Sequence, residues 1–447
     1  MASFSSAENC KVAVIGAGYI GSVLSAVLAE NGCEVVAVDI DTDIVRAINN
    51  GRGPVNEPGL DQLISKVVSA GRLVATSDMS VAADADVVLI TVGTPLDDNY
   101  QADTSGIDSV VRKLGPFLKD GQLVIVKSTV PPFTTERHVD APLKEFARVK
   151  VAFCPERLAE GNAIEECRSI PVVVGGVDEE STEAASEFWR RQMSVEVIKV
   201  GSARAAELVK LADNAWIDLN IALAFELAQV ADAIDIDVLP VIAAANSLPK
   251  GKHNVNILTP SIGVGGYCLT KDPWFLNAFA GGYGFNFKTA VTSREVNDAT
   301  PIYSARKINE ALIRDLGGRS NADVKVAVLG LAFKNNTGDC RFTPVLPLLR
   351  ELRSLSYQIE VFDPWLDQKS LDMFADFEIG DSVDQILNGA TCVVFAAGHD
   401  DFRHIDGEYL RENFPTVRLI FDGRMFFSQA QLDSFQNASI KVIGVGR

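Results

Sequence analysis

The glycine turn GAGYIG, which contains Gly16, Gly18 and Gly21, restricts the fold more than any other feature of the chain. It follows a β-branched run that begins at Lys11 and precedes an apolar pattern of helical period, and a second β-branched run ends at Asp39. This order predicts a βαβ unit whose backbone can approach a pyrophosphate. Asp39 can accept both ribose hydroxyls and would repel a 2′-phosphate, so the unit favours NAD over NADP. The alternative is a glycine turn in a fold that binds no dinucleotide.

Apolar runs typical of buried strands continue to about residue 200, separated by segments of helix length. They occupy residues 84–93, 121–129, 149–156 and 170–176. Repeated alternation of this kind predicts a mostly parallel, doubly wound sheet. After the turn-like segment LGGRSNAD (316–323), a second strand, glycine-containing turn and strand ending in Asp363 repeat the first pattern without its full fingerprint.

A long helix is predicted from Ser202 to Ala233, because apolar residues there keep helical spacing without proline or glycine. We therefore predict an α/β protein with two Rossmann-like doubly wound domains, joined by a long central helix and a helical middle domain. The predicted domains are an NAD-binding domain (1–201), a central helical domain (202–315) and a C-terminal Rossmann-like domain (316–447). A length of 447 residues suits two or three cores.

Charge and cysteine content exclude several classes of function. The net charge of −18 argues against binding to nucleic acid or to an anionic membrane. The seven cysteines are scattered and odd in number, which indicates reduced thiols in a cytoplasm rather than a disulfide framework, and no metal site is expected. The first ten residues lack the pattern of a secretory signal, and no apolar run is long enough for membrane insertion. We expect a cytoplasmic protein.

Cys268 is the candidate nucleophile. It lies in GVGGYCLTKDPW, where glycines let the backbone crowd a ligand and the pair Lys271–Asp272 follows. A cysteine beside a cation in a tight loop can act as a thiolate. The alternative is a small buried hydrophobic residue, to which we assign the other six cysteines.

Two further pairs of polar residues are placed for catalysis. Lys210 and Asn214 are four apart on the predicted long helix, so they share a face and can stabilise an oxyanion. A solvated helix face is the alternative. Thr129 and Glu156 follow predicted strands, where open α/β sheets bind ligands, although residues at such positions also form ordinary turns.

Taken together, these residues resemble the UDP-glucose/GDP-mannose dehydrogenase family, and the resemblance covers nearly the whole chain. The matching segments are GAGYIG, NNGRGPVNEPGL (49–60), TVGTP (91–95), STVPP (128–132), CPERLAEG (154–161), AELVKLADNAW (206–216), GVGGYCLTKDP (263–273), LGLAFKNNTGDCR (329–341) and IFDGR (420–424). The resemblance implies a homodimer or larger oligomer that oxidises the C6 hydroxyl of a UDP-sugar to a carboxylate with two NAD, as in polysaccharide biosynthesis.

The resemblance also implies a role for each matching residue. Cys268 would form the thiohemiacetal and thioester, Lys210 and Asn214 would stabilise oxyanions, Asp272 and Thr129 would hold water, and Glu156 would act as a base or bind substrate. The implied NAD contacts are Gly16, Gly18, Tyr19, Ile20, Gly21, Asp39, Thr94, Thr129, Glu160 and Arg341. The implied UDP-sugar contacts are Glu156, Leu158, Lys210, Asn214, Gly263, Gly265, Phe333, Lys334 and Arg424.

The identity of the sugar depends on departures from the family pattern. Arg157 and the segment DPWF (272–275) resemble the UDP-N-acetylhexosamine branch (UDP-GlcNAc or UDP-ManNAc), whereas Tyr267 replaces the histidine of that branch and Lys271 resembles the UDP-glucose branch. Asn254 stands where the family often has an arginine lent to a neighbouring subunit.

We prefer an N-acetylhexosamine substrate, with UDP-glucose as the alternative. Lys252 or His253 could replace the lent arginine. Two less favoured hypotheses are a two-electron hydroxyacid dehydrogenase, which would need no Cys268, and a nucleotide-sugar-binding protein without catalysis.

Overall fold

The computed structural model describes residues 10–316 and 320–447. The N-terminal segment judged for a secretory signal lies mostly outside these residues, as does part of the turn predicted at 316–323. Two compact units are present. The first comprises the residues up to Asp213 together with Trp274–Asn286, and the second comprises Asn214–Pro273 and the residues from Phe287 onward.

The first unit contains a doubly wound sheet. Its strands are β1 (Lys11–Ile15), β2 (Glu34–Val38), β3 (Leu73–Thr76), β4 (Val87–Ile90), β5 (Leu123–Val126), β6 (Lys150–Phe153), β7 (Val172–Gly176) and β8 (Val197–Lys199). Their order is β3-β2-β1-β4-β5-β6-β7-β8. The first six follow the order of a dinucleotide-binding fold. All pairs are parallel except β6 with β7, so the mostly parallel sheet is confirmed with one reversed step.

Helices cover both faces of this sheet. They are α1 (Tyr19–Glu30), α2 (Thr42–Asn49), α3 (Leu60–Ser69), α4 (Ser105–Leu114), α5 (Ala141–Leu143), α6 (Ala163–Ser169) and α7 (Glu179–Met193). The buried side chains form two clusters, one around α1 and one around α4. Burying both faces explains why the central strands β4 and β5 are apolar at every position.

The predicted long helix is confirmed as α8 (Ala203–Ala233), and the boundary between the units falls within it. The elements that follow are α9 (Val238–Asn246), a short hairpin of β9 (Pro249–Lys250) and β10 (His253–Asn254), α10 (Asp272–Gly281) and α11 (Lys288–Leu316). Within the described residues, no helix combines the length and apolar character needed to cross a membrane.

The second unit contains a fully parallel sheet. Its strands are β11 (Lys325–Leu329), β12 (Gln358–Phe362), β13 (Glu378–Ile379), β14 (Cys392–Phe395), β15 (Leu419–Asp422) and β16 (Lys441–Gly444). The order β13-β12-β11-β14-β15-β16 repeats the order β3-β2-β1-β4-β5-β6 of the first unit. Two Rossmann-like sheets are therefore confirmed. The helices are α12 (Val345–Ser354), α13 (Gln368–Leu371), α14 (Val383–Leu387), α15 (Gly407–Asn413) and α16 (Gln429–Asn437).

Candidate active site

The glycine turn after β1 leaves its open side to a ligand. Gly16 has φ +95°, and a Cβ on Gly21 would lie 1.8 Å from the Gly16 carbonyl oxygen. A Cβ on Gly18 would meet nothing within 4 Å. Asp39 Oδ2 accepts a hydrogen bond from the Ala17 N–H at 2.6 Å, and its side chain is half-buried. This turn fits a pyrophosphate at the N-terminus of α1.

Glu57, in the segment NEPGL, joins the first turn of α1 to Gly161 and Ala163. Its Oε2 accepts hydrogen bonds from the Tyr19 hydroxyl and from the Gly161 N–H, the latter at 2.7 Å. Burial and this carboxylate raise the pKa of the Tyr19 hydroxyl. Tyr19, Ile20 and Glu160, three of the predicted NAD contacts, are all half-buried. Of these three, Tyr19 binds the buried carboxylate of Glu57, a residue that the sequence did not single out.

The segment after β5 is fixed from two sides. Thr94 Oγ1 donates to the Thr129 carbonyl oxygen at 2.6 Å, which brings two predicted NAD contacts together. Glu207, fully buried in the first turns of α8, accepts hydrogen bonds from the N–H groups of Phe133 and Thr135 at 2.7 Å each. Burial raises the pKa of Glu207 to about 7, against the opposing effect of these donors.

Glu156, three residues beyond β6, is fixed by two hydrogen-bond donors and one ion pair. Its Oε1 accepts from the backbone N–H groups of Arg157 at 2.8 Å and Leu158 at 3.0 Å. These bonds are the geometry expected of a turn residue. Its Oε2 lies 3.2 Å from Nζ of Lys127, a buried lysine 4.8 Å from the centre of the Trp189 ring. The lysine gives this carboxylate a charge partner that a simple turn does not require.

Lys210 and Asn214 are both buried, with 8% and 5% of their surface exposed, so neither lies on a solvated helix face. Asn214 belongs to the second unit, where its Nδ2 donates to Oδ2 of Asp272. Asp272 is fully buried, and its Oδ1 accepts from Lys271 Nζ at 2.6 Å. The structure therefore brings Asn214, Lys271 and Asp272 together, while Lys210 belongs to the first unit.

Cys268 lies one turn before this buried cluster. Its carbonyl oxygen accepts hydrogen bonds from the N–H groups of Lys271 at 3.2 Å and Asp272 at 2.9 Å, the latter being the first residue of α10. Cys268 is exposed, whereas the other six cysteines are buried. The interpretation of Cys268 as one more buried thiol is therefore wrong, and that interpretation holds for the other six.

The glycine loop before Cys268 packs against predicted substrate residues. Gly263 has φ +144°, and a Cβ on Gly265 would lie 2.5 Å from the Phe333 Cβ. The Gly266 N–H donates to the Arg341 carbonyl oxygen at 3.0 Å. A side chain on Gly265 or Gly266 would push away Phe333, in the segment beyond β11. Gly263, Gly265, Phe333 and Arg341 are thus brought together in the second unit.

Arg424, directly after β15, holds the same region. Its guanidinium donates to the carbonyl oxygens of Phe333 at 2.6 Å and Ala396 at 2.8 Å, and lies 3.3 Å from Ser261 Oγ. Lys334 is half-buried in the segment that follows Phe333. The carboxyl ends of β11 and β15 therefore bring the backbone that carries Lys334 close to Arg424, at the edge of the sheet where open α/β folds bind their ligands.

Comparison with known proteins identifies this arrangement. The NAD-binding, central and UDP-binding domain models of one family match residues 10–193, 204–299 and 327–429. The chain belongs to the UDP-glucose/GDP-mannose dehydrogenase family. It is therefore an NAD-dependent UDP-sugar dehydrogenase, an oxidoreductase, and its cofactor is NAD.

Several family members cover nearly the whole chain. A UDP-N-acetyl-D-mannosamine dehydrogenase of Methanococcus maripaludis is 33% identical over 419 residues, 92% of each chain. The structure of a UDP-D-ManNAc dehydrogenase from Pyrococcus horikoshii aligns with TM-score 0.86 at 30% identity, covering 98% of this chain and 99% of that one. A UDP-glucose dehydrogenase from Pyrobaculum islandicum also gives TM-score 0.86, at 27% identity, with 98% of each chain covered. The fold alone therefore does not separate the two sugars.

Several buried charged residues could not be identified from the sequence, among them Glu57, Lys127 and Glu207. Lys127 directly follows the apolar strand β5, and Glu207 lies three residues before Lys210 on the same helix. A charge beside a buried run is a weak sign of function. The partners of such a charge cannot be read from the sequence when they are distant. Glu207, for example, binds residues more than 70 positions away.

Proposed function

We propose that the chain oxidises the C6 hydroxyl of a UDP-N-acetylhexosamine to the carboxylate in two successive steps that use Cys268. The observation that carries this proposal is the exposed Cys268, one turn before the buried cluster of Asn214, Lys271 and Asp272. An exposed thiol beside a fixed carboxylate and amide is suited to covalent catalysis. A simple two-electron oxidation would not need it.

The proposed chemistry requires a nucleophile, a base and a water. NAD, when bound, takes up the hydride that C6 releases in each oxidation. Sγ of Cys268 adds to the aldehyde carbon formed first, and its proton passes to the carbonyl oxygen, which gives a thiohemiacetal. Loss of the second hydride and of that proton leaves a thioester, and water then adds to its carbon, releasing the acid and regenerating the thiol.

Buried polar residues support the remaining roles. We assign Lys210 and Asn214 to the stabilisation of oxyanions, because both are buried on α8. Asp272 and Thr129 are assigned to the water. Glu156 is assigned as the base for hydrolysis, because its carboxylate is held by Lys127 and two backbone amides.

The preference for an N-acetylhexosamine rests on relatives and on sequence. The M. maripaludis relative and the P. horikoshii structure are both named for N-acetylmannosamine. Arg157 and DPWF resemble that branch, and the Arg157 guanidinium donates to the Pro171 carbonyl oxygen. UDP-glucose is the alternative, since Lys271 resembles the other branch.

A second copy of the chain is the proposed partner. On α8, Trp216, Leu219, Leu223 and Val230 are between 42% and 59% exposed. Their spacings of three, four and seven residues put them on one face of the helix. This face borders a cavity of about 320 Å³ that Val296 of α11 also lines. An exposed apolar face of this kind supports a homodimer.

We further propose functional domains at 1–201, 202–315 and 316–447 and a cytoplasmic location.

The reaction is tested by incubating the protein and NAD with UDP-GlcNAc, UDP-ManNAc, UDP-GalNAc, UDP-glucose and GDP-mannose, and measuring NADH and product by absorbance and mass spectrometry. Two NADH per sugar with an N-acetylhexosamine are expected. Two NADH only with UDP-glucose would replace the substrate, and one NADH per sugar would overturn the two-step reaction.

A further inference from the structure

His399 is a buried histidine outside the residues assigned above. It is fully buried in the second unit, four residues beyond β14. The backbone N–H of Asn336 donates to its Nδ1 at 2.9 Å, and its Nε2 lies 3.1 Å from Oδ2 of Asp363. Because Nδ1 accepts from an N–H, the ring proton belongs on Nε2 and is donated to Asp363. One neutral tautomer satisfies both contacts.

The same carboxylate holds the turn at the end of β11. Oδ2 of Asp363 accepts hydrogen bonds from the N–H groups of Leu331 at 2.6 Å and Ala332 at 3.2 Å. Asp39 holds the corresponding turn of the first unit through Ala17, but Asp39 is half-buried and remains accessible to a ribose. Asp363 is buried behind His399. In the second unit, this carboxylate therefore serves the protein rather than a ligand.

Residues 333–337 are held at several points by this arrangement. Asn335 Oδ1 accepts from the Gly398 N–H at 2.8 Å, and Asn336 Oδ1 accepts from the Asp400 N–H at 2.8 Å. Asn336 itself has φ +53°, in the left-handed region that asparagine adopts more readily than most residues. The hydrogen bond that His399 Nδ1 accepts fixes the backbone N–H of Asn336.

We infer that His399 is a positioning residue for residues 333–337, fixing the backbone that presents Lys334 to the diphosphate of the nucleotide sugar. The inference rests on the proposed role of Lys334 in substrate binding. Lys334 lies two residues before Asn336, and the Thr337 hydroxyl donates to its carbonyl oxygen at 3.1 Å. Losing the Nδ1 acceptor leaves the partly buried N–H of Asn336 unsatisfied and removes one of the contacts that fix this backbone.

Two substitutions separate the two ring nitrogens. His399→Asn keeps an acceptor near the position of Nδ1 and loses the donor to Asp363. His399→Gln keeps a donor near the position of Nε2 and loses the acceptor for Asn336. Each variant breaks one buried hydrogen bond, so their effects on stability should be similar. Their effects on ligand binding should differ.

The probe is UDP alone, measured by isothermal titration calorimetry, with NAD as a second ligand. We expect the Kd for UDP to rise about tenfold in His399→Gln and less than threefold in His399→Asn, while NAD affinity stays within twofold in both. Equal losses in the two variants would overturn the inference. If the unaltered protein does not bind UDP, the proposed substrate fails as well; if it binds and His399→Gln binds equally, only the positioning role fails.

A measurement on the unaltered protein covers the case in which a variant does not fold. The chain has four histidines, so ¹⁵N-labelled imidazole signals can be resolved and His399 recognised by its slow exchange with solvent. We expect the tautomer protonated on Nε2 at neutral pH. An Nδ1-protonated ring or an imidazolium would overturn the inference.

Discussion

Exposure distinguishes Cys268 from the other six cysteines at the scale of single residues. Burial raises the pKa of Cys154 to about 11 and that of Cys167 to about 12, so neither forms an appreciable thiolate at neutral pH. We expect iodoacetamide at pH 7.5 to modify about one cysteine per chain, Cys268, and activity to fall at the same rate. Peptide mass spectrometry and NADH formation measure the two rates. Modification of Cys154 at a comparable rate would contradict this.

Cys268→Ala is the control for that experiment. The variant should lose the fast modification and form no uronic acid, since the thioester cannot form. Cys268→Ser keeps an oxygen nucleophile and should accumulate a covalent ester, visible as a mass increase of the intact chain. Full conversion to acid by the alanine variant would remove Cys268 from the reaction.

The spacing of residues in the sequence pointed to Cys268. It could not show that the residues near Cys268 are buried. Lys271 and Asp272 were visible as a pair, and Asn214 as one face of a helix. That Asp272 is fully buried and bonded to both depends on a contact between residues 58 positions apart. His399 and Glu207 were missed because a single buried polar residue has no periodic signal in the sequence and its partners lie far along the chain.

At the scale of elements, Glu207 connects α8 to the segment after β5 that carries Thr129. Its pKa in the folded protein is about 7, above an ordinary value of 4.5. Between these values the folded state holds a proton that the unfolded state has lost, so the free energy of unfolding falls as pH rises through this window. The full effect is on the order of 3 kcal/mol.

Glu207→Gln removes this titration. We expect the melting temperature of the variant, relative to the unaltered protein, to increase as pH rises from 5 to 8, as measured by differential scanning fluorimetry. Glu183→Gln, at an exposed ion pair with Lys199, is the control and should show no such trend. A constant difference between Glu207→Gln and the unaltered protein would contradict the buried titration.

Strands and helices were predicted where the chain repeats a strong local pattern. The long helix was expected from Ser202 to Ala233 and is observed from Ala203 to Ala233. The reversal of β7 against β6 was not expected, because an apolar run such as VVVGG carries no signal for strand direction. The edge strands β3, β8, β13 and β16 also lacked a distinctive run, since fewer of their side chains are buried.

For the whole molecule, the two sheets share the order of six strands, but the turns that follow β1 and β11 have different surroundings. The turn of the first unit is open at Gly18, and its Asp39 is only half-buried. In the second unit, Asp363 is buried under His399 and the turn leads to Phe333 and Lys334. The sequence showed this difference only as an incomplete fingerprint. The contacts explain the difference. In the second unit, the Asp363 carboxylate is occupied by two backbone N–H groups and by the His399 imidazole.

The apolar face of α8 leads to a prediction about assembly. Leu223 is 43% exposed at the middle of that face. Leu223→Glu would place a carboxylate in the proposed apolar interface. Burying this charge without a partner costs free energy, so the dimer should dissociate. We expect sedimentation equilibrium to give the mass of two chains for the unaltered protein and of one chain for the variant. Ile198→Glu, on β8 and 40% exposed, is the matched control and should leave the mass unchanged. A variant that stays dimeric would show that the subunits meet elsewhere, and the exposed face of α8 would then need another partner.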